Sequence, residues 1–290
     1  MTSRLFPPGL YVAATPIGHL ADITDRVRQA LAHCDLLYAE DTRRAQQLLA
    51  GLQISRPRNT VHCLHQHNES AVSAQVLNAI ANQQSVVLIS DAGTPAISDP
   101  GSEVVEAAWQ AGYLVSPLPG ASAVMAALSV CGFARWPISF WGFSPAKALA
   151  RKAWLEKISQ HGGLAVLFES PHRALAALQD CAEVFGPQTA MVHARELTKS
   201  HETIFRGAIA EVQKKVLALQ EKDPGASKGE LVWVFDLGDK PVASASDAQL
   251  QEWAAALAKE MPAASAAKCL AKMLGVSREA AYAAVLREIK

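Results

Sequence analysis

Lysine is absent from the chain before Lys147, and net charge is absent from the whole, since 27 Lys and Arg balance 27 Asp and Glu. A neutral chain projects no long-range field that gathers a polyanion, so a nucleic-acid partner has to be met by a local patch. The five cysteines (Cys34, Cys63, Cys131, Cys181 and Cys269) are odd in number and form no C-x-x-C pair. That argues against a disulfide framework or a zinc cage and fits a reducing cytoplasm. The uncharged stretch from Gly112 to Ala134 is long enough for a bilayer, but Pro117, Pro119 and Gly120 divide it into strand, turn and helix, so no membrane span is expected. The first residues, MTSRLFPPG, lack the apolar core of a signal peptide, and export is not expected.

What is present is a composition for burying a core: half the residues are hydrophobic and 19% are charged. A length of 290 residues suggests two domains and a small appendage. Through the first 120 positions short apolar runs (10–14, 35–39, 60–64, 86–89, 113–115) alternate with helical patterns (23–32, 43–49, 69–81, 103–111). Asn68 is placed to cap the third of these helices. The alternation predicts a parallel sheet with crossover helices and a ligand crevice at the carboxyl ends of the strands.

A second α/β unit follows Pro119-Gly120, with strands at 138–141, 164–168, 191–194 and 231–235, a hairpin-like piece at 203–205, and helices at 121–131, 148–159, 171–184 and 209–220. Ser170-Pro171 reads as an N-cap with proline at the first helical position. Residues 222–229 are rich in turn formers and read as a mobile loop, and 238–246 as a linker. The tail is alanine-rich, with helices expected at 247–259, 265–274 and 277–289, Gly275 breaking the last two apart, and a compact helix-turn-helix-type module as the outcome. The expected domains are therefore 1–118, 119–240 and 241–290.

Three strand-to-helix junctions carry the chemistry. Ala14-Thr15-Pro16-Ile17-Gly18-His19-Leu20 lacks both the G-x-G-x-x-G dinucleotide fingerprint and the phosphate-cradling G-x-x-x-x-G-K-[ST], and reads as an ordinary turn or a ligand-contacting one. Ser90-Asp-Ala-Gly-Thr-Pro-Ala-Ile-Ser-Asp-Pro-Gly101 places two glycines, two prolines and two aspartates in one rigid loop after a buried strand. Such a constrained loop is costly unless its backbone serves a ligand; the plain alternative is a sharp connection with Asp99 capping the next helix, and a metal site on Asp91 and Asp99 lacks an evident third ligand. Pro119-Gly-Ala-Ser-Ala123 offers free N–H groups at a helix start, suited to a carboxylate or a polar cofactor edge, or simply joins two domains. His62, His65 and His67 look metal-like, but a strand divides them between two faces.

Taken together, A-T-P-I-G-x-L-x-D-I-T at 14–24, E-D-T-R at 40–43, S-D-A-G-T-P-x-I-S-D-P-G at 90–101 and P-G-x-S-A at 119–123 resemble the tetrapyrrole-methylase superfamily of S-adenosylmethionine-dependent methyltransferases. Within it, E-S-P-H-R at 169–173 and A-R-E-L-T-K-x-H-E at 194–202 resemble the ribosomal RNA small-subunit methyltransferase I branch, as does the alanine-rich tail. His19 departs from the Asn usual there, Ala121 from Pro, and Thr203 from a second Glu.

The resemblance implies two α/β domains of tetrapyrrole-methylase type with the cofactor cleft between them, plus the small C-terminal helical module. It implies 2′-O-methylation of a cytidine in the decoding region of 16S rRNA, with S-adenosylmethionine as cofactor, small-subunit RNA within an assembled subunit as partner, and a homodimer. Asp91, Ala92, Gly93 and Thr94 are expected beside the cofactor with Ser122 and Ala123 across the cleft, and Ile97, Phe143, Phe168 and Val192 as apolar contacts. Glu169, His172, Glu196 and Lys199 are the candidates for proton handling; Arg43, Arg173 and Arg195 for the RNA, with Arg44 beside Arg43 on the same side of the cleft. The alternative for the 169–202 charges is a buried ion-pair network. Trp136, Phe140, Trp141 and Phe143 are either core or base-stacking residues, and Lys147, Arg151, Lys152 and Lys157 either an RNA-facing or a solvated helix face. The rival functions are a tetrapyrrole or diphthine-type methylase, which would transfer no methyl group to RNA, and a non-catalytic RNA-binding assembly factor, which would tolerate loss of Asp91 or Glu196.

Overall fold

The computed structural model describes residues 5–239, 247–274 and 276–289. In the first unit five strands, β1 (Gly9–Ala13), β2 (Leu36–Ala39), β3 (Val61–Cys63), β4 (Ser85–Ile89) and β5 (Val115–Leu118), form a sheet in the order β3-β2-β4-β1-β5, every pairing parallel. Helices α1 (Asp25–His33) and α2 (Thr42–Gly51) cover one face; α3 (Glu69–Ala81) and α4 (Ser102–Gln110) cover the other. Alternate residues of each strand enter opposite cores. Tyr11, Leu37, Val87 and Leu118 pack under α1 and α2, whereas Leu10, Tyr38, Val86 and Leu88 pack under α3 and α4. The last strand lies two to three residues later than expected, at Val115–Leu118, with Pro117 inside it. Proline, which has no N–H to donate, is tolerated there because β5 is an edge strand with only one neighbour.

The second unit is a mixed five-stranded sheet in the order β6-β7-β10-β8-β9. Its strands are β6 (Ile138–Phe143), β7 (Leu164–Glu169), β8 (Ala190–Arg195), β9 (Thr203–Ala208) and β10 (Leu231–Asp236). β10 runs antiparallel between β7 and β8, and β8 with β9 makes the expected hairpin. Helices α6 (Ala148–Ser159), α7 (Ala174–Phe185) and α8 (Ile209–Lys222) pack over Leu167, Trp233 and Phe235. On the opposite face α5 (Ala123–Cys131) covers Val166, Val192 and Val234 together with Ile17 of the first unit, so one core cluster joins the two. β6 pairs with β7 in register through Phe140↔Val166 and resumes at Phe143↔Phe168, one extra residue having been inserted beside Gly142, whose φ is 67°.

Several local expectations are corrected. Asn68 stands at the start of α3 without capping it; its side chain closes the preceding turn instead, accepting from His65 N and donating to Cys63 O. Asp99 does not cap α4. The buried Glu69 does, its Oε2 accepting from Gly101 N at 3.0 Å and Glu103 N at 3.2 Å, because Gly101 at the helix start has no side chain to offer. Ser170 likewise makes no side-chain cap; residues 171–173 form a 3-10 turn before α7. Residues 222–229 do not form a loose loop. Pro224–Ser227 is a 3-10 turn with Ala226 buried.

The tail forms α9 (Asp247–Glu260), α10 (Ala263–Leu274) and α11 (Arg278–Ile289) around Ala254, Ala266, Leu270, Ala281 and Val285. Small residues let these helices approach closely. Most of the expected linker and the expected break at Gly275 lie outside the described residues. Among the described residues no helix is long and apolar enough to cross a membrane. Replacing Glu69 by Ala removes both acceptor bonds from a buried helix start and is expected to cost roughly 2–3 kcal/mol, read as a lower urea midpoint, while Glu69→Gln, which keeps an acceptor, costs less.

Candidate functional site

The carboxyl ends of the parallel strands converge on a cavity of about 460 Å³ between the two units. The turn after β1 and the loop after β4 are joined by paired backbone bonds, Thr15 N to Gly93 O at 2.8 Å and Gly93 N to Thr15 O at 3.0 Å. Gly93 has φ 81°, and a Cβ there would lie 3.3 Å from Ile17 Cγ2, so the position needs glycine for conformation and for space. Thr94 Oγ1 then donates to Ala121 O at 3.2 Å, tying the same loop to the start of α5, whose N-cap Ser122 accepts from Met125 N. Ala96 and Ser98 follow with φ of 63° and 67°, left-handed values that non-glycine residues seldom adopt.

Nine of the ten residues expected beside the cofactor line this cavity: Asp91, Ala92, Gly93, Thr94, Ile97, Ser122, Ala123, Phe143 and Phe168. Val192 does not. It is 0% exposed in the core beneath α5, and Val232, Ala194's partner on the neighbouring strand, reaches the cavity instead. Of the expected catalytic residues only Glu169 borders the cavity. Its carboxylate is fully engaged: Oε1 accepts from Arg173 Nε at 2.5 Å and Ser170 N at 2.6 Å, and Oε2 from Ser144 Oγ. Arg173 is thus held in an ion pair and donates also to Ser144 O. His172 is exposed and outside the lining.

Glu196 and Lys199 lie behind the wall. Lys199 bridges Glu196 Oε1 at 2.9 Å and Glu230 Oε2 at 3.1 Å, and Glu230 borders the cavity. Burial works against both charges, but the Lys199 ammonium and the Glu230 N–H outweigh it and hold the Glu196 carboxyl below its ordinary range. The two carboxylates likewise overcome burial and hold the Lys199 ammonium above its own. Lys199 therefore remains charged and is no ready proton acceptor. Arg195 is buried, with its guanidinium committed to the carbonyls of Lys228, His201 and Gly225, which is what orders residues 224–228. Arg43 is 87% exposed on its own N-cap, Asp41, and outside the lining. Its neighbour Arg44 lines the cavity and pairs with Asp91 at 3.3 Å.

The cavity's charge is acidic. Glu40, Asp91, Asp99, Glu169 and Glu230 line it against the single cation Arg44. Asp91, Glu169 and Glu230 have cationic partners; among the described residues Glu40 and Asp99 form no ion pair. Burial and then the Asp91 charge push the Glu40 carboxyl upward. Burial, followed by Glu40, raises Asp99 to about 6, with Asp91 and Glu230 adding to the effect and a Ser90 hydrogen bond opposing it. Glu40, Ser98 and Glu230 were not singled out from the sequence, and Asp99 only as a helix cap or metal ligand, although Glu40 stands in the E-D-T-R segment and Ser98 and Asp99 in the 90–101 segment.

Other expectations resolve locally. His19 caps the short 3-10 turn Leu20–Asp22, its Nδ1 accepting from Ala21 N at 3.2 Å. His62 stacks on Tyr38, and His65 Nδ1 accepts from His67 N. Trp141 packs between Trp154 and His161. Arg151 is buried against Asp180 and two carbonyls, which removes it from an RNA-facing helix face, while Lys152 pairs with Asp180 and Glu183 and remains 38% exposed.

With this geometry in hand, the comparisons are specific. Residues 9–213 match the family model of tetrapyrrole (corrin/porphyrin) methylases, and residues 244–290 match the RsmI C-terminal HTH domain. The fold agrees with solved structures of the methyltransferase CobJ (18% identity, TM-score 0.56, covering 78% of this chain and 93% of that one) and of diphthine synthase (15%, 0.56, 78% and 88%). The chain belongs to the tetrapyrrole methylase family of methyltransferases. Along nearly its full length it is similar to ribosomal RNA small subunit methyltransferase I of Xylella fastidiosa (39% identity, covering 95% of this chain and 98% of the relative). The same holds for that of Haemophilus influenzae (39%, 94% and 94%) and Escherichia coli O157:H7 (37%, 96% and 95%). Within the family it belongs to this branch of small-subunit rRNA methyltransferases.

The two units also meet at Gly18, where a Cβ would lie 2.5 Å from Lys199 Cγ and 2.6 Å from Thr198 Oγ1, and where His19 N donates to Thr198 Oγ1 at 2.9 Å. Gly18→Ala is therefore expected to part these loops and lower the melting temperature by a few degrees, roughly what a loss of 1–2 kcal/mol gives in a chain of this size. Combining it with Lys199→Ala, which removes Cγ, should cost less than the sum of the two, as a double-mutant cycle would read.

Proposed function

We propose that this protein uses S-adenosylmethionine to 2′-O-methylate a cytidine in the decoding region of 16S rRNA, acting in the cytoplasm as a homodimer on an assembled or nearly assembled small subunit. The observation that carries the reading is the meeting of loop 91–94 and the α5 start at Ser122-Ala123 in one acidic cavity between the two units. The residues present fit the cofactor. About 460 Å³ lies within the range of small-molecule sites, of order 300–1,000 Å³. Backbone polar groups of residues 92–94 and the N-terminus of α5 suit the polar edges of the molecule, Ile17, Phe168 and Val232 give an apolar wall for a purine, and the carboxylates suit a cation. When bound, S-adenosylmethionine supplies an electrophilic methyl group on a sulfonium centre.

The chain's own contribution is first one of line. Methyl transfer to an oxygen requires the ribose hydroxyl to approach opposite the departing sulfur, and stiff loops held by Thr15–Gly93 and Thr94–Ala121 fix one side of that line. Glu169, anchored by Arg173 and Ser144, fixes the wall formed by residues 169–171. The hydroxyl must also lose a proton, and an acceptor is most effective when its pKa approaches the working pH. Asp99, raised to about 6 and free of a cationic partner among the described residues, is better matched to that task than Glu169, whose buried carboxylate already accepts three hydrogen bonds and pairs with Arg173, or Lys199, which is charged. Arg44 at the cavity and Arg43 beside it on α2 are the cations placed for RNA phosphate.

Purified protein incubated with labelled S-adenosylmethionine and unmodified small subunits is expected to place the label in a nuclease-resistant dinucleotide of 16S rRNA. Label in protein, in a corrin, or on a base would overturn the reading. A second expectation concerns pH. Asp99 gains its charge as pH rises through about 6, so calorimetry should show affinity for the cationic donor increasing several-fold between about pH 5 and about pH 7. Affinity for the thioether product, which lacks the sulfonium charge, should change less, and Asp99→Asn should flatten the donor's profile.

A further inference from the structure

We propose that Phe143 is the platform on which the target nucleobase stacks, so that an unpaired nucleotide sits with its base on the aromatic rim and its ribose toward the acidic interior. The inference rests on the reading above and names the substrate's subsite within it. It also departs from the expectation that Phe143 touches the cofactor.

The strand geometry singles this residue out. In an unbroken β6, Phe140 and Phe143 would point to opposite faces of the sheet, because side chains alternate. The extra residue at the bulge restores them to the same face: Phe140 pairs with Val166, Phe143 with Phe168, and both rings rest on Phe168, with centroids 4.9 Å and 5.2 Å away. Gly142, at φ 67°, permits the kink, and a Cβ on it would lie 3.1 Å from Ser98 Oγ of the first unit. A bulge beside an active site is a device that re-aims a side chain. Here it turns an aromatic ring out of the α6–α7 core and onto the rim of the cavity.

The ring is backed but not covered. Phe143 is 60% exposed and Ile97, on the loop that approaches Gly142, is 50% exposed, although both line the cavity. Phe140 and Trp141 of the same strand are better covered, each packed against other rings. An apolar pair left open at a cavity mouth calls for an occupant, and charge restricts which part of a nucleotide can fill it. The interior carries five carboxylates, of which Glu40 and Asp99 form no ion pair among the described residues, so a phosphate is disfavoured inside and better placed outside near Arg44, 60% of whose side chain is exposed. The base is uncharged and presents a flat π-face, the complement of an exposed, rigidly supported phenyl ring. Any base has such a face, so the platform grips the nucleotide without identifying it.

The test compares Phe143→Leu, which keeps apolar bulk, with Phe143→Trp, which keeps a stacking face, in the full-length protein. Expected for Phe143→Leu is a KM for small subunits raised about tenfold, the loss of one base–aromatic stack, with an unchanged dissociation constant for S-adenosylmethionine by calorimetry. Phe143→Trp should retain near wild-type KM. Leu and Trp variants that behave alike, or a donor affinity that weakens in step with the RNA KM, would overturn the inference and return Phe143 to a packing or cofactor role. Wild-type protein that methylates no RNA would instead remove the reading beneath it, and the platform with it.

Discussion

Two short backbone hydrogen bonds between Thr15 and Gly93 are the constraint on which the cavity depends. They turn the ends of two adjacent parallel strands into a single rigid edge, from which Thr94 reaches Ala121 and Ile17 reaches into the core shared with the second unit. The left-handed residues Ala96 and Ser98 lie just beyond this edge and store strain that a free loop would relax. It persists because the far end of the loop is also pinned, by Glu69 from another helix. A crevice at the carboxyl ends of parallel strands follows from the topology; its definite shape follows from these two clamps.

The electrostatics work against the folded state and in favour of a cationic guest. Glu40 and Asp99 sit among other carboxylates without ion-pair partners among the described residues, and both are pushed toward holding a proton. A carboxyl with a raised folded-state pKa contributes its stability below the ordinary carboxylate range and loses it as pH rises through the folded value, here about 6 for Asp99. At neutral pH the carboxylates of the cavity therefore repel one another. Arg44 relieves part of this repulsion at Asp91, and a bound positive charge would relieve more.

Much of this was legible in the sequence, for physical reasons that also mark where reading stops. The α/β alternation and the three junction loops came from local patterns, since a strand end followed by Gly, Pro and Asp has few conformations available, whereas the nine residues that do line the cavity were expected there from the family resemblance. What failed was contact at a distance. Nothing near Gly101 announces that a carboxylate 32 residues earlier will cap α4. Arg43 and Arg44 are adjacent, and only the helix's rotation decides which faces the cavity. Val192 and Val232 occupy neighbouring strands on one face and both are buried in the core beneath α5, yet only Val232 also borders the cavity. Arg195 looks like a phosphate ligand until its three carbonyl partners are seen. The bulge in β6 was likewise invisible, because a register shift is a property of two strands.

That bulge has a consequence on the opposite side of its strand. β6 is the outermost strand of its sheet, and an outermost strand ordinarily offers a straight row of amide and carbonyl groups onto which a strand from another molecule can be added. One inserted residue throws the row out of step midway along its length. The irregularity that aims a ring at the cavity rim thus also spoils the template for self-association, leaving the sheet's border poor at recruiting stray chains.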